Sequence, residues 1–219
     1  MASNRFDLIV FDWDGTILDS TAAIVSAMQS ACRDLGLPEP AAAIARQVIG
    51  LGLADALRIA APDLTEESVP HLVARYRHHY LSGDRSLALF EGVEDMLGDL
   101  RTAGHLLAVA TGKGRQGLNR ALDHSGLGAL FVASRCADEC FSKPHPQMLE
   151  ELMAELDVPP ERTLMIGDTT HDVQMARNAG VAALAVTYGA HSVVDLSALE
   201  PLACLDDVPS VRLWLREHA

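Results

Sequence analysis

Phe11-Asp12-Trp13-Asp14-Gly15-Thr16-Ile17 is the stretch that decides how this chain folds. The run leading into it, Phe6 to Phe11, is apolar except for Asp7, the pattern of a buried strand in a parallel sheet. Two carboxylates then stand where the strand ends, and an open α/β sheet holds its ligands in the crevice beyond the carboxyl ends of its strands. Asp12 and Asp14 are two residues apart, so a strand continued through them would point both to one side of the sheet. Gly15 permits the sharp turn that follows. Like charges at that spacing resist joint ionisation unless a cation or a shared proton relieves them. A lone D-x-D-G is equally an Asp-rich turn, and the rest of the chain has to decide.

Outward from this stretch, Asp19-Ser20-Thr21 forms a helix-capping cluster. Ile24, Ala27, Met28, Ala31 and Leu35 follow at helical spacing, and Gly36 and Pro38 end that helix. Residues 40–48, 53–61 and 65–82 read as three more helices, and this part of the chain shows no strand pattern. A second α/β pattern then begins: helix 91–103, Gly104 and the apolar strand Leu106 to Ala110. Between Thr16 and Thr111 lie 94 residues. A βαβ unit needs only about 30 residues in all. The surplus predicts a helical insert above the carboxyl edge of the sheet, placed to act as a lid.

The remainder alternates: helix 115–124, a strand near Leu130 to Ala133, helix 145–156, strand Thr163 to Ile166, helix Asp172 to Asn178 and strand Ala182 to Val186. A last strand near Ala203 to Leu205 precedes a closing helix that includes Trp214. Strands spaced by amphipathic helices predict a doubly wound, Rossmann-like parallel α/β sheet with an inserted α-helical cap domain. The expected division is a core of residues 1–19 and 87–219 and a cap of residues 20–86.

At 219 residues, with 49% hydrophobic and 21% charged residues, the composition is that of a globular protein. The net charge of −13, without any block of Lys or Arg, argues against a nucleic-acid partner. An acidic protein that handles an anion must supply positive charge locally, from Lys, Arg or a metal ion. Neither a signal-like amino terminus nor a membrane-length apolar run is present, so the expected location is cytoplasmic, with no membrane partner. Cys32, Cys136, Cys140 and Cys204 are scattered and read as free thiols; the Cys136/Cys140 spacing lacks a nearby second pair for zinc.

Three further polar sites follow elements of the predicted sheet: Thr111-Gly112, Lys143-Pro144 and Gly167-Asp168-Thr169-Thr170-His171-Asp172. In a parallel sheet they converge with Asp12 and Asp14. Four carboxylates against one lysine leave three negative charges in one crevice, an excess that a divalent cation would relieve. Oxygen-only ligands select Mg²⁺ rather than zinc.

This arrangement, with DWDGT, Thr111, Lys143 and GDTTHD in order and spanning residues 6–189, resembles the haloacid dehalogenase superfamily of phosphotransferases. The runs KPHP and GDTTHDVQMARNAG are similar to its phosphoglycolate phosphatase-like branch, and the insert is similar to that family's small helical (C1) cap. The resemblance implies a Mg²⁺-dependent phosphatase acting on a small phosphomonoester. It implies Asp12 as nucleophile, forming an aspartyl-phosphate, and Asp14 as general acid and then base, with its backbone carbonyl on the metal. Asp168 would complete the metal site. Asp172 would orient Lys143 or assist the metal, the first role being preferred. Thr111 and the Gly112 N–H would hold phosphoryl oxygens, and Lys143 would neutralise charge on nucleophile and phosphate.

Gly112-Lys113-Gly114-Arg115-Gln116-Gly117 is a literal G-x-G-x-x-G between a strand and a helix, with Asp138 near the place of a ribose-binding acid. A pyrophosphate there would face the acidic cluster, which argues against a dinucleotide enzyme. A receiver-like phospho-acceptor module is the non-enzymatic alternative, but receivers run to about 120 residues and need no lid. Within the family, a sugar-phosphate mutase of the β-phosphoglucomutase kind or a pyrophosphatase shares the core. The phosphonate branch uses a cap lysine, and residues 20–86 contain none. Substrate choice is expected on the cap, from the loop Ile49 to Leu53 and from Arg46, Arg58, Arg75, Arg77, His78 and His79.

Overall fold

The structure, a computed structural model, describes residues 5–219. Residues 1–4, the start of the expected core segment, lie outside the described residues. Six strands form one parallel sheet in the order β3-β2-β1-β4-β5-β6. They are β1 (Leu8–Phe11), β2 (Leu106–Thr111), β3 (Ala133–Cys136), β4 (Thr163–Gly167), β5 (Ala182–Val186) and β6 (Cys204–Leu205). The order reverses between β1 and β4, so the crevice of a doubly wound sheet opens there.

Alternation along the strands builds the two layers. Ile9, Phe11, Leu107, Val109, Leu164 and Ile166 face one side. There they meet α5 (Val93–Thr102), α6 (Arg115–Ser125) and α10 (Val208–His218) through Leu97, Leu118 and Val211. Leu8, Val10, Ala108, Ala110, Ala183 and Ala185 face the other. That face is covered by α7 (Gln147–Leu156), α8 (Thr170–Asn178) and the short α9 (Val193–Ser197), through Leu152, Val173 and Leu196. Burial on both faces explains why β1 reads as an unbroken apolar run.

Four helices lie between β1 and the second α/β pattern: α1 (Thr21–Asp34), α2 (Ala42–Gln47), α3 (Leu53–Ala60) and α4 (Val69–Gly83). Their apolar faces close on one another around Met28, Ala31, Leu57 and Leu72, apart from the two sheet layers except for a contact with Ala190. The fold is thus the expected α/β core with an inserted helical cap.

Two local expectations need correction, and one cap is new. The strand expected near Leu130 to Ala133 begins at Ala133 instead. Leu127–Leu130 is a 3-10 turn, and Phe131 turns inward, edge-on to Phe11 and Trp13. Ser20 is the residue before α1, yet its side chain does not cap that helix; its hydroxyl is committed elsewhere. Helix α9 follows Ser192, whose side chain accepts from the Asp195 N–H, a cap the sequence reading passed over. The four cysteines are free thiols.

Candidate active site

The turn after β1 is wound tightly: the Trp13 carbonyl accepts from the N–H groups of Ile17 and Leu18, and the Leu18 carbonyl accepts from Gly15. Asp12 and Asp14 therefore do not continue the strand, and their carboxylates part company. Asp12 stays over the crevice, 1% exposed, with one oxygen (Oδ1) accepting from Lys143 Nζ at 2.8 Å. Its other oxygen, Oδ2, is buried without a hydrogen-bond partner. Asp14 turns toward the cap. Its Oδ1 accepts from Ser20 Oγ at 2.6 Å, its Oδ2 lies 2.9 Å from Lys113 Nζ, and Tyr80 Oη stands 3.5 Å from Oδ1.

Asp168 follows β4, directly across the crevice from Asp12. Thr16 Oγ1 donates to its Oδ1 at 2.9 Å and the Ala190 N–H to its Oδ2 at 2.7 Å. The carboxylate is wedged between two glycines: a Cβ on Gly15 or on Gly189 would lie 2.2 Å from Asp168 Oδ2. Gly15 also holds φ +81°, so no side chain fits there on either count. Asp172 closes the capping box of α8 with Thr169, and its Oδ1 accepts from Lys143 Nζ at 2.6 Å. Lys143, 1% exposed, is thereby clasped between Asp12 and Asp172.

Ligand oxygens of Asp12, Asp168 and Asp172 lie within 4.8 Å of one another, all buried. Burial pushes the Asp12 carboxyl up to about 7 against the pull of Lys143, and it raises Asp168 as well, with Asp12 and Asp172 adding to the effect. Lys113 is a second lysine that the sequence count left out, because it reaches Asp14 from the loop after β2. Four carboxylates against two lysines still leave two formal negative charges in the crevice. A hard divalent cation fits this site on three observations: the orphaned Asp12 Oδ2, the surplus of negative charge and the all-oxygen donor set. The carboxylate cluster does not include Asp14, whose side chain is occupied by Ser20 and Lys113.

Thr111 ends β2, fully buried, with its Oγ1 accepting from the Lys113 N–H at 3.2 Å; the hydroxyl hydrogen remains free to donate. At Gly112 a Cβ would lie 2.5 Å from the Leu51 carbonyl oxygen and 2.6 Å from that of Gly50, so the cap loop presses directly on the core. Gly52 N–H donates to Ser142 Oγ at 2.8 Å, and His171 Nε2 is 2.9 Å from the Gln47 carbonyl. Asp138 Oδ1 accepts from the Arg115 N–H at 2.8 Å and occupies the start of α6 that a pyrophosphate would need.

Of the cap cations singled out in the sequence, Arg58 pairs with Glu66, and Arg75 and His79 both pair with Asp34. Arg77 lines the cavity between cap and core. Ser20, Tyr80, Thr16 and Lys113 were not read as site residues. Lys113 carried a signal, since it directly follows Thr111-Gly112; Tyr80 carried none.

A parallel sheet whose β1 and β4 ends hold buried carboxylates around one lysine, under a helical lid, defines a hydrolase-type α/β core. The model of the haloacid dehalogenase-like hydrolases matches residues 9–186, and the chain belongs to that family. It is 38% identical over 210 residues to the probable phosphatase IndB of Dickeya dadantii, covering 93% of this chain and 91% of that protein. It is 32% identical over 212 residues to the phosphoglycolate phosphatase of Vibrio cholerae, covering 92% and 93%. The tyrosine-protein kinase PtkA of Mycobacterium tuberculosis is 34% identical over 183 residues, 83% of this chain but 62% of that longer protein. Among solved structures, a predicted phosphoglycolate phosphatase from Haemophilus somnus superposes with a TM-score of 0.83 at 28% identity, covering 94% of this chain and 96% of its own.

Proposed function

We propose that this chain is a Mg²⁺-dependent phosphatase that hydrolyses small phosphomonoesters, as in the phosphoglycolate phosphatase-like branch, through a covalent phosphate on Asp12. The observation that carries the reading is the asymmetry of that carboxylate: Lys143 holds one oxygen while the other is buried and unpartnered. Asp12, Asp168 and the backbone carbonyl of Asp14 would hold Mg²⁺, which when bound neutralises charge on the carboxylates and on the phosphoryl oxygens.

The chain's own groups supply the rest. Asp12 attacks phosphorus, forming an O–P bond as the ester O–P bond breaks, and a carboxylate suffices because phosphoryl transfer depends on positioning and charge more than on nucleophile strength. Asp14, carrying the proton it takes from water in the preceding turnover, gives it to the departing alkoxide. It then takes a proton from the water that attacks the aspartyl-phosphate, releasing inorganic phosphate and restoring Asp12. The Thr111 hydroxyl and the Gly112 N–H hold the phosphoryl oxygens. Lys143 balances the charge passing through Asp12, and Asp172 fixes where that ammonium sits. The helical segment of residues 20–86 acts as the lid that excludes water during transfer, and the core of residues 1–19 and 87–219 carries the chemistry. No helix of the described residues is long and apolar enough to cross a membrane, in keeping with a cytoplasmic enzyme.

The test is release of phosphate from p-nitrophenyl phosphate over many turnovers. Wild type should turn over with Mg²⁺ and stop with EDTA, and Asp12→Asn should lose about 10⁴-fold or more. Equal rates in Asp12→Asn would remove the nucleophile assignment. A single labelling event without repeated release would point to the receiver-like alternative, and transfer between sugar positions to the mutase.

A further inference from the structure

The cavity between cap and core has a volume of about 520 Å³ and reaches from Asp12 and Asp14 into the helical insert. It is a closed chamber on the loop side, because the Gln47–Gly52 segment already rests on Gly112, Ser142 and His171. Sites of roughly 300–1,000 Å³ suit drug-sized ligands, whereas a two-carbon acid phosphate has only about nine heavy atoms. The phosphoryl end would fill the corner at Thr111 and Gly112 and leave most of the volume empty.

On the cap side the remaining space is lined largely by apolar side chains. Ile24 and Met28 come from α1, Ile49 and Leu53 from the glycine-rich loop and the start of α3, and Val73 and Tyr76 from α4. Tyr76 stacks on Tyr80, with ring centroids 5.9 Å apart and planes 13° from parallel, which gives that wall a flat aromatic face. Such a surface gains by covering apolar area and loses by receiving an unpartnered charge. Among the described residues, the cations on the wall are Lys113, Arg77 and Arg120. Lys113 is held by Asp14 and Tyr80, Arg120 lies 3.8 Å from Asp84, and Arg77 is exposed to solvent. Asp55 and Asp138 line the same cavity and would repel a second anionic group.

We propose that the alcohol half of the substrate is an uncharged, ring-sized and largely apolar group seated in this chamber, rather than a two-carbon acid. The inference rests on the phosphomonoesterase reading above and adds the class of alcohol to it. Catalysis at phosphorus is unchanged by it; what changes is which esters are brought there.

The experiment compares kcat/KM, with Mg²⁺, for three alkyl phosphates of similar leaving-group character: ethyl phosphate, 2-phenylethyl phosphate and 2-phosphoglycolate. The 2-phenylethyl ester should exceed both others by about tenfold or more, the discrimination an apolar pocket of this kind gives. Val73→Trp, which fills the chamber from α4, should cost the 2-phenylethyl ester about tenfold and leave ethyl phosphate within about twofold. Ethyl phosphate thus reports that the variant has folded. A preference for 2-phosphoglycolate that disappears in Arg77→Ala would overturn the inference while leaving the phosphatase reading intact. So would equal rates for the phenylethyl and ethyl esters. Hydrolysis of none of the three, or of p-nitrophenyl phosphate, would overturn both.

Discussion

The crevice at the end of β1 and the outer face of the cap both carry ion pairs, and the two sets have little else in common. In the crevice, Lys143 is shut away from water between Asp12 and Asp172, residues 131 and 29 positions distant in the chain. On the cap, Arg33 meets Glu39 and Arg58 meets Glu66 in exposed pairs a few residues apart. Exposed pairs of that kind are screened and contribute little. A buried cluster costs desolvation energy, and removing one member strands the others, so its retention argues for a task rather than for stability. The contrast separates a rigid floor that holds charge from a lid whose polar decoration is replaceable.

Lys143→Met is the hardest test of that contrast. It leaves Asp12 and Asp172 buried without their shared cation, so folding free energy from denaturant melts should fall by about 3–5 kcal/mol. A change under about 1 kcal/mol, the scale of a surface pair, would erase the distinction between floor and lid. Gly189→Ala comes next, because its Cβ would lie 2.2 Å from Asp168 Oδ2. Displacing that carboxylate should lower turnover about 10- to 100-fold, as losses at metal-supporting positions do, and raise the Mg²⁺ concentration needed for half-maximal rate. Wild-type Mg²⁺ dependence in this variant would place Asp168 outside the metal site.

Tyr80→Phe probes the seam between the two regions. Its hydroxyl donates to nothing nearer than Asp14 at 3.5 Å, and it accepts from Lys113 Nζ at 3.0 Å. Loss of one such hydrogen bond is worth about 0.5–1.5 kcal/mol, so turnover should fall by about two- to tenfold and the melting temperature by at most about 6 °C. Unchanged turnover would show that the lid does not help to seat Asp14.

The smallest effect belongs to the lid's own surface. His79 and then Arg75 hold Asp34 below its ordinary value of 3.8. A depressed carboxyl contributes stability above that value and loses it as pH falls through the folded-state pKa, since only the unfolded chain then gains the proton first. Asp34→Asn should therefore lie slightly below wild type in melting temperature at pH 7, and the gap should close on acidification below pH 3.8. Activity should not change at any pH where both are folded.

Much of this fold was legible from the chain. β5 runs over the same residues, Ala182 to Val186, that the apolar pattern marks, because a central parallel strand is apolar on both faces. β3 was displaced by three residues, since an edge strand need not be apolar: Ala133–Cys136 includes Arg135, which points out to Glu151 and Glu155. The residues at the strand ends were legible as a set because topology alone brings them together. Their side-chain directions were not. The period-two argument set Asp12 and Asp14 side by side, but the chain winds into a tight turn at Trp13, so Asp12 meets Lys143 while Asp14 meets Ser20 and Lys113, both still lining one cavity. Ser20 looked like a cap because of its position, and only the folded chain shows Asp14 competing for its hydroxyl. Lys113 and Tyr80 meet across 33 residues, which no local pattern encodes.

The contact of Gln47–Gly52 with Gly112, Ser142 and His171 has a consequence for anyone who would exchange lids among relatives. That segment runs from the end of α2 to the start of α3, buries Val48 and Ile49 in the cap's apolar cluster, and touches Ser142 and His171, the chain neighbours of Lys143 and Asp172. A transplant of helices α1 to α4 that replaced this segment would remodel the floor it rests on. A graft that kept it would hand the new bundle a seating surface already cut to fit.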